Sequence, residues 1–450
     1  MSNERSGFSS RLGFVLATAG SAVGLGNIWR FPYLAAKYGG GTFLLTYLIL
    51  TLTFGFSLMI TEVALGRKAG TSAIRAFGHF SKKHTFIGYL TTIIPFIIFP
   101  YYCVIGGWVT KYALISLQGG IHNAASDTFF TGFISKSAEP MICVLVFLIA
   151  TTVVVAGGVK GGERVSTIMM PVLIVLLIGV SLFCITRPGA MAGVAYYLKP
   201  SLKGFGPTTI LAALGQLFYS MSLAMGIMIT FGSYMPKKAD LEKSVTQVEI
   251  FDTGVAFLAG LMIVPAVFVF SNGDSSMLAK GPSLMFVMLP KVFDSMAFSS
   301  VIAAVFFILV LLAALTSSIS LLETLVAVLM DKFHMKRGTA CITMFIIALL
   351  LAVPSSLGFG AWSNITILGF DFLDFFDFIS NSVLMPIAAF LTCLFVGYII
   401  KPKVIVDEVE SSGEFKRKSL FLIMVKYIAP ICIVAILVFS VLEGLGFITV

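Results

Sequence analysis

The sequence predicts an all-α membrane protein whose helices cross the bilayer many times. Hydrophobic residues occupy 58% of the 450 positions and charged residues only 11%, a composition far from that of soluble domains. Apolar runs of about 18 or more residues, the length of a helix that spans a bilayer, recur along the whole chain. The first run carries glycines and polar side chains at its centre, which predicts a helix interrupted at mid-membrane.

Eleven such runs are present, and we number them span 1 to span 11 in chain order. Their predicted bounds are 12–36, 41–66, 86–117, 140–156, 164–186, 208–234, 245–270, 298–329, 339–357, 365–400 and 419–444. The segment 1–11 is short and polar and has no cleavable signal pattern. We therefore expect the mature chain to keep span 1.

Lysine and arginine are concentrated in the N-terminus and in the loops that follow the even-numbered spans. By the positive-inside rule, this predicts a multi-pass protein of the plasma membrane, surrounded by lipid, with a cytoplasmic N-terminus. The net charge of +9 follows from this topology. A nucleic-acid partner is not indicated, because the sequence contains no basic stripe with interleaved aromatic residues.

The cysteines and histidines do not indicate a catalytic or metal centre. The six cysteines lie in or beside apolar runs, with no CxxC pair and no histidine at ligand spacing. The four histidines fall in loops or at helix ends, and no nucleophile can be assembled with them. We expect packing roles for the cysteines and no enzyme activity.

The centre of span 1 is a poor helix. Between Arg11 and Pro32 the chain places Gly20, Gly24 and Gly26 among polar residues, and each glycine costs about 1 kcal/mol relative to alanine in a helix interior. A break at this point leaves amides of the outer half, from about Leu25 onward, facing an anion, and carbonyls of the inner half facing a cation. The alternative is that the glycines only allow another helix to approach closely.

Span 6 repeats this pattern five spans later, with hydroxyls and small residues between Gly215 and Gly226. An offset of five spans reverses the orientation in the membrane, so spans 1–5 (12–186) and 6–10 (208–400) predict an inverted repeat. The two interrupted helices would face each other at mid-membrane. Span 11 (419–444) lies outside the repeat, and we expect residues 1–450 to form a single transmembrane domain.

Several motifs resemble those of the neurotransmitter:sodium symporter family, which has the LeuT-type fold. Residues 24–33 (GLGNIWRFPY) and 39–43 (GGGTF) resemble the family's first-helix signature. The resemblance continues over most of the chain, at Glu62, Gly66-Arg67, Tyr101-Tyr102, Gly215-Gln216, Asp252-Thr253 and Thr316-Ser317-Ser318. The eleven spans resemble the bacterial amino-acid branch rather than the twelve-helix animal members.

The resemblance implies two sodium sites. The first would use the Ala22 carbonyl and the side chains of Asn27, Ser220 and Asp252, and would also contact the carboxylate of the substrate. The second would use the carbonyls of Gly20, Val23 and Ala313 with the hydroxyls of Thr316 and Ser317. Sodium prefers several oxygen ligands, which an interrupted helix can supply. The alternative for the hydroxyls of residues 316–318 is bonding back within their own helix.

The resemblance also implies a neutral amino acid as the substrate. The amides of Leu25 and Gly26 with the Tyr102 hydroxyl would hold the α-carboxylate, beside Ala22, and carbonyls between Tyr219 and Ser222, including Ser220, would hold the ammonium. Monoamine members carry an aspartate where this chain has Gly24, so the substrate must bring its own acid. The remaining pocket residues are apolar or small, which favours hydrophobic or aromatic side chains; they are Ser21, Val23, Ile98, Tyr219, Ser222, Met225, Ser317 and Leu321.

Asp252 differs from the asparagine that much of the family carries in this region. An aspartate within a membrane span is costly unless it is paired or functional. Chloride-dependent animal members recruit an anion near this place. A fixed carboxylate makes that anion unnecessary, so we predict chloride-independent transport.

Charged pairs predict two gates. Arg30 would pair with Asp377, or alternatively with Asp374, above a lid formed by Tyr102 and Tyr219. Arg5 and Asp331 would form the cytoplasmic counterpart. The alternative for each is an ordinary solvated charge.

In span 5, Gly161 and Pro171 weaken the cytoplasmic end of the helix, which would unwind and admit water to the second sodium site. Glu62 is expected to accept hydrogen bonds from span 6; the alternative is a carboxylate that reaches headgroup water. These features predict a sodium-coupled symporter that imports neutral hydrophobic or aromatic L-amino acids by alternating access. The alternative is a sensor or channel that uses the same binding site without coupled transport.

Overall fold

The computed structural model describes residues 7–201, 205–271 and 282–447, and Arg5 lies outside these ranges. In the described part of the chain, nine single helices are long and apolar enough to cross a membrane. They correspond to spans 2–5 and 7–11: Gly41–Ala69, Lys82–Leu117, Ala138–Ala156, Gly158–Ile185, Leu241–Phe270, Ser299–Phe333, Arg337–Leu357, Phe372–Ile399 and Lys418–Gly444. The protein is therefore a multi-pass membrane protein.

Span 1 is broken where the sequence predicts it. Helix Arg11–Ala22 and helix Gly26–Lys37 meet at an angle of 56°. The first helix begins at an N-cap, where the Ser10 side chain accepts a hydrogen bond from the amide of Gly13, and ends at Val23, whose backbone is extended.

Span 6 is also broken, between helix Pro207–Ser220 and helix Ile227–Tyr234. In the intervening segment Ser222, Ala224 and Gly226 have φ angles of 52°, 63° and 72°. Residues other than glycine rarely adopt this left-handed conformation. Two such residues in one break indicate a strained segment that its surroundings hold in place.

Spans 1 and 6 run antiparallel, as an inverted repeat requires. At one end, the Phe8 amide donates to the Tyr234 carbonyl over 3.0 Å, so the start of span 1 meets the end of span 6. In the other halves of the two spans, beyond the first helix of span 1, the Gln216 side chain donates to the Gly26 carbonyl over 3.0 Å. We call the side of the bundle with Phe8 and Tyr234 the inner side, and the opposite side the outer side.

Short helices cover the ends of the bundle. Their bounds are Ala73–Phe80, Ile121–Ala124, Phe129–Ile134, Ala190–Leu198, Leu289–Asp294 and Lys403–Glu410. The last of these connects spans 10 and 11 on the inner side, where it packs against span 2.

Two predicted span boundaries differ from the structure by six and seven residues. Span 5 begins at Gly158 rather than at residue 164, so Gly161 and Pro171 both lie within one continuous helix, and the predicted weak end is wound in this conformation. Span 10 begins at Phe372 rather than at residue 365. The cause is a tight turn in which Ile367 and Phe370 exchange backbone hydrogen bonds, followed by an N-cap at Asp371.

A candidate transport site between the broken helices

A cavity with about 420 Å³ of empty space lies between the two breaks. Its lining residues are Ser21, Ala22, Gly24, Leu25, Gly26, Asn27, Ile98, Tyr102, Tyr219, Ser220, Ser222, Met225, Ile227, Ser317 and Leu321. Among the residues that the structure describes, no charged side chain lines this cavity.

The structure brings together every predicted substrate residue except Val23. Val23 is fully buried, and its carbonyl accepts a hydrogen bond from the Ser317 hydroxyl of span 8 over 3.1 Å. Two further lining residues are Asn27, which the sequence analysis assigned to sodium alone, and Ile227, which it missed. Ile227 is the first residue of the inner helix of span 6, so its position next to the break was the available signal.

The Tyr102 hydroxyl points at the break in span 1. It is buried beside the Leu25 amide and the Ser317 hydroxyl, but within the described chain neither contact has the full geometry of a hydrogen bond. A Cβ atom built on Gly24 would lie 3.4 Å from this hydroxyl and 2.7 Å from the Ser317 Oγ. Any side chain at position 24 would therefore fill the space beside Tyr102, which only glycine leaves open. A buried unpaired hydroxyl is costly and suits a ligand acceptor atom.

Asp252 is the centre of the predicted first sodium site. Its Oδ1 accepts hydrogen bonds from the Asn27 Nδ2 and the Ser220 Oγ, each over 2.8 Å, and its Oδ2 accepts one from the Tyr47 hydroxyl over 3.2 Å. All four side chains are buried, and these three partners are neutral. A buried carboxylate surrounded by neutral donors favours a nearby cation, which fits the predicted ligand set.

The predicted second sodium site lies where spans 1 and 8 touch. The Ser317 hydroxyl is 3.4 Å from the Gly20 carbonyl and 3.1 Å from the Val23 carbonyl. The Thr316 hydroxyl lies 3.1 Å from the Ala313 carbonyl of its own helix. Thr316 thus bonds back along span 8, as the alternative interpretation expected, while Ser317 reaches across to span 1. All five oxygen atoms predicted to bind the second sodium ion therefore lie at or next to this contact.

On the outer side, Tyr219 lines both the central cavity and a second, larger cavity. Arg30 lines the larger cavity, with its guanidinium carbon 5.4 Å from the centre of the Tyr219 ring, a distance typical of a cation–π contact. Both predicted partners of Arg30, Asp374 and Asp377, line the same cavity. Asp377 also accepts hydrogen bonds from the Tyr101 hydroxyl over 3.1 Å and the Asn381 amide over 2.6 Å.

On the inner side, the chain before span 1 is docked on span 5. The backbone amide and the hydroxyl of Ser9 both donate to the Glu163 carboxylate, over 2.9 and 2.5 Å. The Phe8 ring makes edge contacts with Phe14 and Phe231. Of the predicted inner gate, Asp331 accepts a hydrogen bond from the Ser72 amide over 2.7 Å.

A second inner contact joins spans 6, 8 and 9, and the sequence analysis missed it. Glu323 accepts hydrogen bonds from the Tyr234 hydroxyl over 2.9 Å and from both terminal nitrogens of Arg337, at 2.6 and 2.8 Å. Such a two-pronged arginine–carboxylate pair is strong and directional. Glu163 and Glu323 line one cavity, next to the inner end of the predicted second sodium site.

Glu62 holds the break in span 6. Its Oε1 accepts a hydrogen bond from the Ala224 amide over 2.7 Å, and its side chain is fully buried rather than extended toward headgroup water. Ala224 is one of the residues with a positive φ angle. The carboxylate therefore satisfies an amide that the missing helical turn leaves free, as the sequence predicts.

A helical bundle with two helices broken opposite each other around a central cavity is typical of a secondary transporter. The site described above has these features. Comparison with known proteins identifies the kind of transporter: the chain belongs to the sodium:neurotransmitter symporter family, whose family model matches residues 5–131 and 131–445.

Relatives of similar length are known from bacteria. An uncharacterized sodium-dependent transporter of Bacillus subtilis is 35% identical over 95% of this chain and 96% of its own length. Another, from Haemophilus influenzae, is 34% identical over 97% of this chain and 98% of its own length. The human sodium- and chloride-dependent GABA transporter 2 is 27% identical over 73% of this chain and 62% of its own length.

The crystal structure of MhsT in complex with L-phenylalanine is similar to this chain, with a TM-score of 0.87 and 38% identity. The similarity covers 97% of this chain and 100% of the MhsT chain. The predicted family and the LeuT-type fold are therefore confirmed. The chain is a sodium-dependent transporter of the membrane and not an enzyme.

Proposed function

We propose that the protein is a sodium-coupled symporter that imports neutral hydrophobic or aromatic L-amino acids, independently of chloride. The main support is the central cavity, which is lined by residues of both breaks and, among the described residues, by uncharged side chains. The solved relative MhsT carries L-phenylalanine, which also favours this substrate class.

A zwitterion fits the polar end of the cavity. The substrate carboxylate would accept hydrogen bonds from the Tyr102 hydroxyl and from the amides around Leu25 and Gly26 at the start of the outer helix of span 1. The ammonium would donate to carbonyls of the broken segment of span 6. A basic or acidic substrate side chain would find no opposite charge among the described lining residues, and burying it unpaired would be costly.

Two sodium ions would be co-transported in this scheme. One would balance the charge of Asp252 and contact the substrate carboxylate, which couples ion binding to substrate binding. The other would be bound by the five oxygen atoms where spans 1 and 8 touch. The carboxylate of Asp252 supplies the negative charge near the first ion, so a bound chloride is not needed.

Alternating access would use the two ends described above. Arg30, Asp377 and Tyr219 would close the outer side after binding. Release to the inner side would require the Ser9 contact with Glu163, and the predicted pair of Arg5 with Asp331, to separate. The inner end of span 5, with Gly161 and Pro171, would then unwind and admit water to the second ion.

Uptake into proteoliposomes tests the proposal. With an inward sodium gradient, labelled L-phenylalanine and L-leucine should accumulate, while L-lysine and GABA should not. Replacing external chloride by gluconate should leave uptake unchanged, and replacing sodium by potassium should abolish it.

Three outcomes would contradict this proposal. Sodium-dependent binding without accumulation would favour a sensor, and uptake that collapses in gluconate would refute chloride independence. Accumulation of GABA or lysine in place of neutral amino acids would refute the substrate class.

A further inference from the structure

Arg67, at the inner end of span 2, is a buried cation whose hydrogen bonds reach other segments. Its side chain is fully buried. The Nε donates to the Glu408 carboxylate over 2.8 Å, and Nη1 donates to the Ala239 carbonyl over 2.9 Å and to the Ser412 hydroxyl over 3.0 Å. The Nη2 donates to the Glu408 carbonyl. Four acceptors from outside span 2 therefore surround one guanidinium.

Lys237 completes the arrangement from the linker between spans 6 and 7. Its ammonium donates to the Arg67 carbonyl over 2.5 Å and to the Glu408 carboxylate over 3.2 Å. Span 2, the linker after span 6 and the helix Lys403–Glu410 are thus joined in one network. Removing one partner of a buried charged pair is strongly destabilising, because the other charge is left buried without compensation.

Next to Arg67, span 2 touches the inner helix of span 6 directly through the backbone. A Cβ atom on Gly66 would lie 1.8 Å from the Ile229 carbonyl oxygen, and one on Gly232 would lie 2.3 Å from the Val63 carbonyl oxygen. One glycine on each helix therefore lets the two backbones touch, because neither position carries a side chain. Backbone atoms in such contacts cannot move aside as side chains can.

The inner helix of span 1 is held differently. A Cβ atom on Gly13 would meet the side chain of Glu163, and one on Gly20 would meet the side chains of Thr316 and Met170. These contacts are made to side chains, and those can rotate away. The two inner helices therefore differ in how firmly their neighbours hold them.

We propose that Arg67 and Glu408 are positioning residues that lock span 2, the inner helix of span 6 and the helix Lys403–Glu410 into one rigid unit during the transport cycle. The inner helix of span 6 then cannot move without span 2 and the connecting helix. This inference goes beyond the proposed function, because it depends neither on the substrate nor on the number of sodium ions.

Hydrogen exchange of the full chain in lipid nanodiscs tests the rigid unit. The variant Glu408→Gln should raise amide exchange at least fivefold in residues 227–240 and 403–412 together. Glu410→Gln is the matched control: Glu410 lies on the same helix and pairs with Lys418 at 2.8 Å, but both side chains are 43% exposed. Exchange in this control should stay within twofold of the wild type, because exposed ion pairs contribute little.

A second measurement separates coupling from local stability. If the unit loosens, conformations open to the inner side become more populated, and the sodium concentration for half-maximal uptake should rise at least threefold in Glu408→Gln. Arg67→Lys keeps the charge but cannot make the forked contacts. It should therefore also raise amide exchange and the sodium requirement, and it replaces Glu408→Gln if that variant does not fold. Exchange that rises only in 403–412, with unchanged sodium dependence, would overturn the proposal.

Discussion

The substrate-binding role proposed for the Tyr102 hydroxyl can be tested separately from its effect on the stability of the protein. Because its contacts with the Leu25 amide and the Ser317 hydroxyl fall short of full hydrogen-bond geometry in the described chain, removing it should destabilise the unliganded protein little. If it binds the substrate carboxylate, its loss removes a hydrogen bond to a charged group, worth about 1.5–3 kcal/mol. We expect Tyr102→Phe to weaken L-phenylalanine binding about tenfold or more without lowering the melting temperature of the substrate-free protein.

Tyr101→Phe is the natural control for this variant. The Tyr101 hydroxyl donates to Asp377, so its loss leaves a carboxylate with one partner fewer and should lower the melting temperature. Binding assays and thermal unfolding on both variants provide the check. Unchanged affinity in Tyr102→Phe would contradict the assigned role.

Asp252→Asn tests the second residue-scale prediction. The change keeps the size of the side chain but removes the negative charge, while Tyr47 and Ser220 keep their hydroxyls near the site. We expect the sodium concentration for half-maximal uptake to rise about tenfold or more, because a charged ligand is lost. Chloride should then stimulate uptake, since an anion can replace the missing charge. Both expectations are tested by measuring uptake over a range of sodium concentrations, once in chloride and once in gluconate.

The sequence predicted most of the residues that line the cavity. Glycine, asparagine and serine destabilise an apolar helix, so they are expected where the helix borders a polar site or a closely packed neighbour. Val23 does not line the cavity, and its predicted contact with the substrate stays a prediction, because the direction of a side chain in a broken helix cannot be inferred from helical periodicity. The sequence analysis missed Ile227, since an isoleucine in an apolar run carries no signal of its own.

At the scale of elements, the docking of span 1 on span 5 depends on Gly13. A Cβ atom at this position would lie 1.7 Å from the Glu163 carboxylate, so Gly13→Ala must displace the carboxylate and break its bonds to Ser9. We expect faster proteolysis near the N-terminus and a severalfold higher sodium requirement for uptake. Gly179→Ala in span 5, where a Cβ atom meets nothing within 4 Å, is the control and should change neither. Equal proteolysis of both variants would contradict the docking role.

Pro171 in span 5 provides a prediction about the rate of sodium release. It lies inside a continuous helix with its side chain exposed, so alanine adds a backbone hydrogen bond without disturbing packing. Proline costs about 3 kcal/mol relative to alanine in a helix interior, so Pro171→Ala should keep the inner end wound. We expect a higher melting temperature and slower uptake at saturating substrate. An unchanged maximal rate, measured in proteoliposomes, would count against unwinding as a step of transport.

The inner contacts show where prediction by sequence ends. The apolar runs gave the existence and order of the spans, because the thickness of the bilayer sets their length. Tyr234 and Glu323 are 89 positions apart, and nothing in either neighbourhood indicates that they meet. The start of span 10 was wrong because the turn at Ile367 is as apolar as a helix.

For the whole molecule, the reversed orientation of the two halves explains why the central cavity lies between the two breaks. Residues of both breaks line this cavity, and side chains of neighbouring spans satisfy backbone groups that the missing helical turns leave open. The sequence predicted this because broken helices are tolerated in a membrane only where other groups satisfy the backbone. The relative positions of the charged gates depend on tertiary packing and could not be predicted in the same way.

The number of sodium ions can be measured as charge moved per substrate. A zwitterion carries no net charge, so each sodium ion adds one charge that gains about 2.3 kcal/mol per 100 mV. With two ions, the accumulation ratio of L-phenylalanine should rise about tenfold for every ~30 mV of inside-negative potential, and with one ion for every ~60 mV. We expect the steeper dependence, measured at steady state in vesicles whose potential is set by a potassium gradient. Under the same conditions Thr316→Ala, which removes a hydroxyl from the second site alone, should reduce the slope toward that of a single charge. An accumulation ratio that ignores the potential would contradict coupling to sodium at either site.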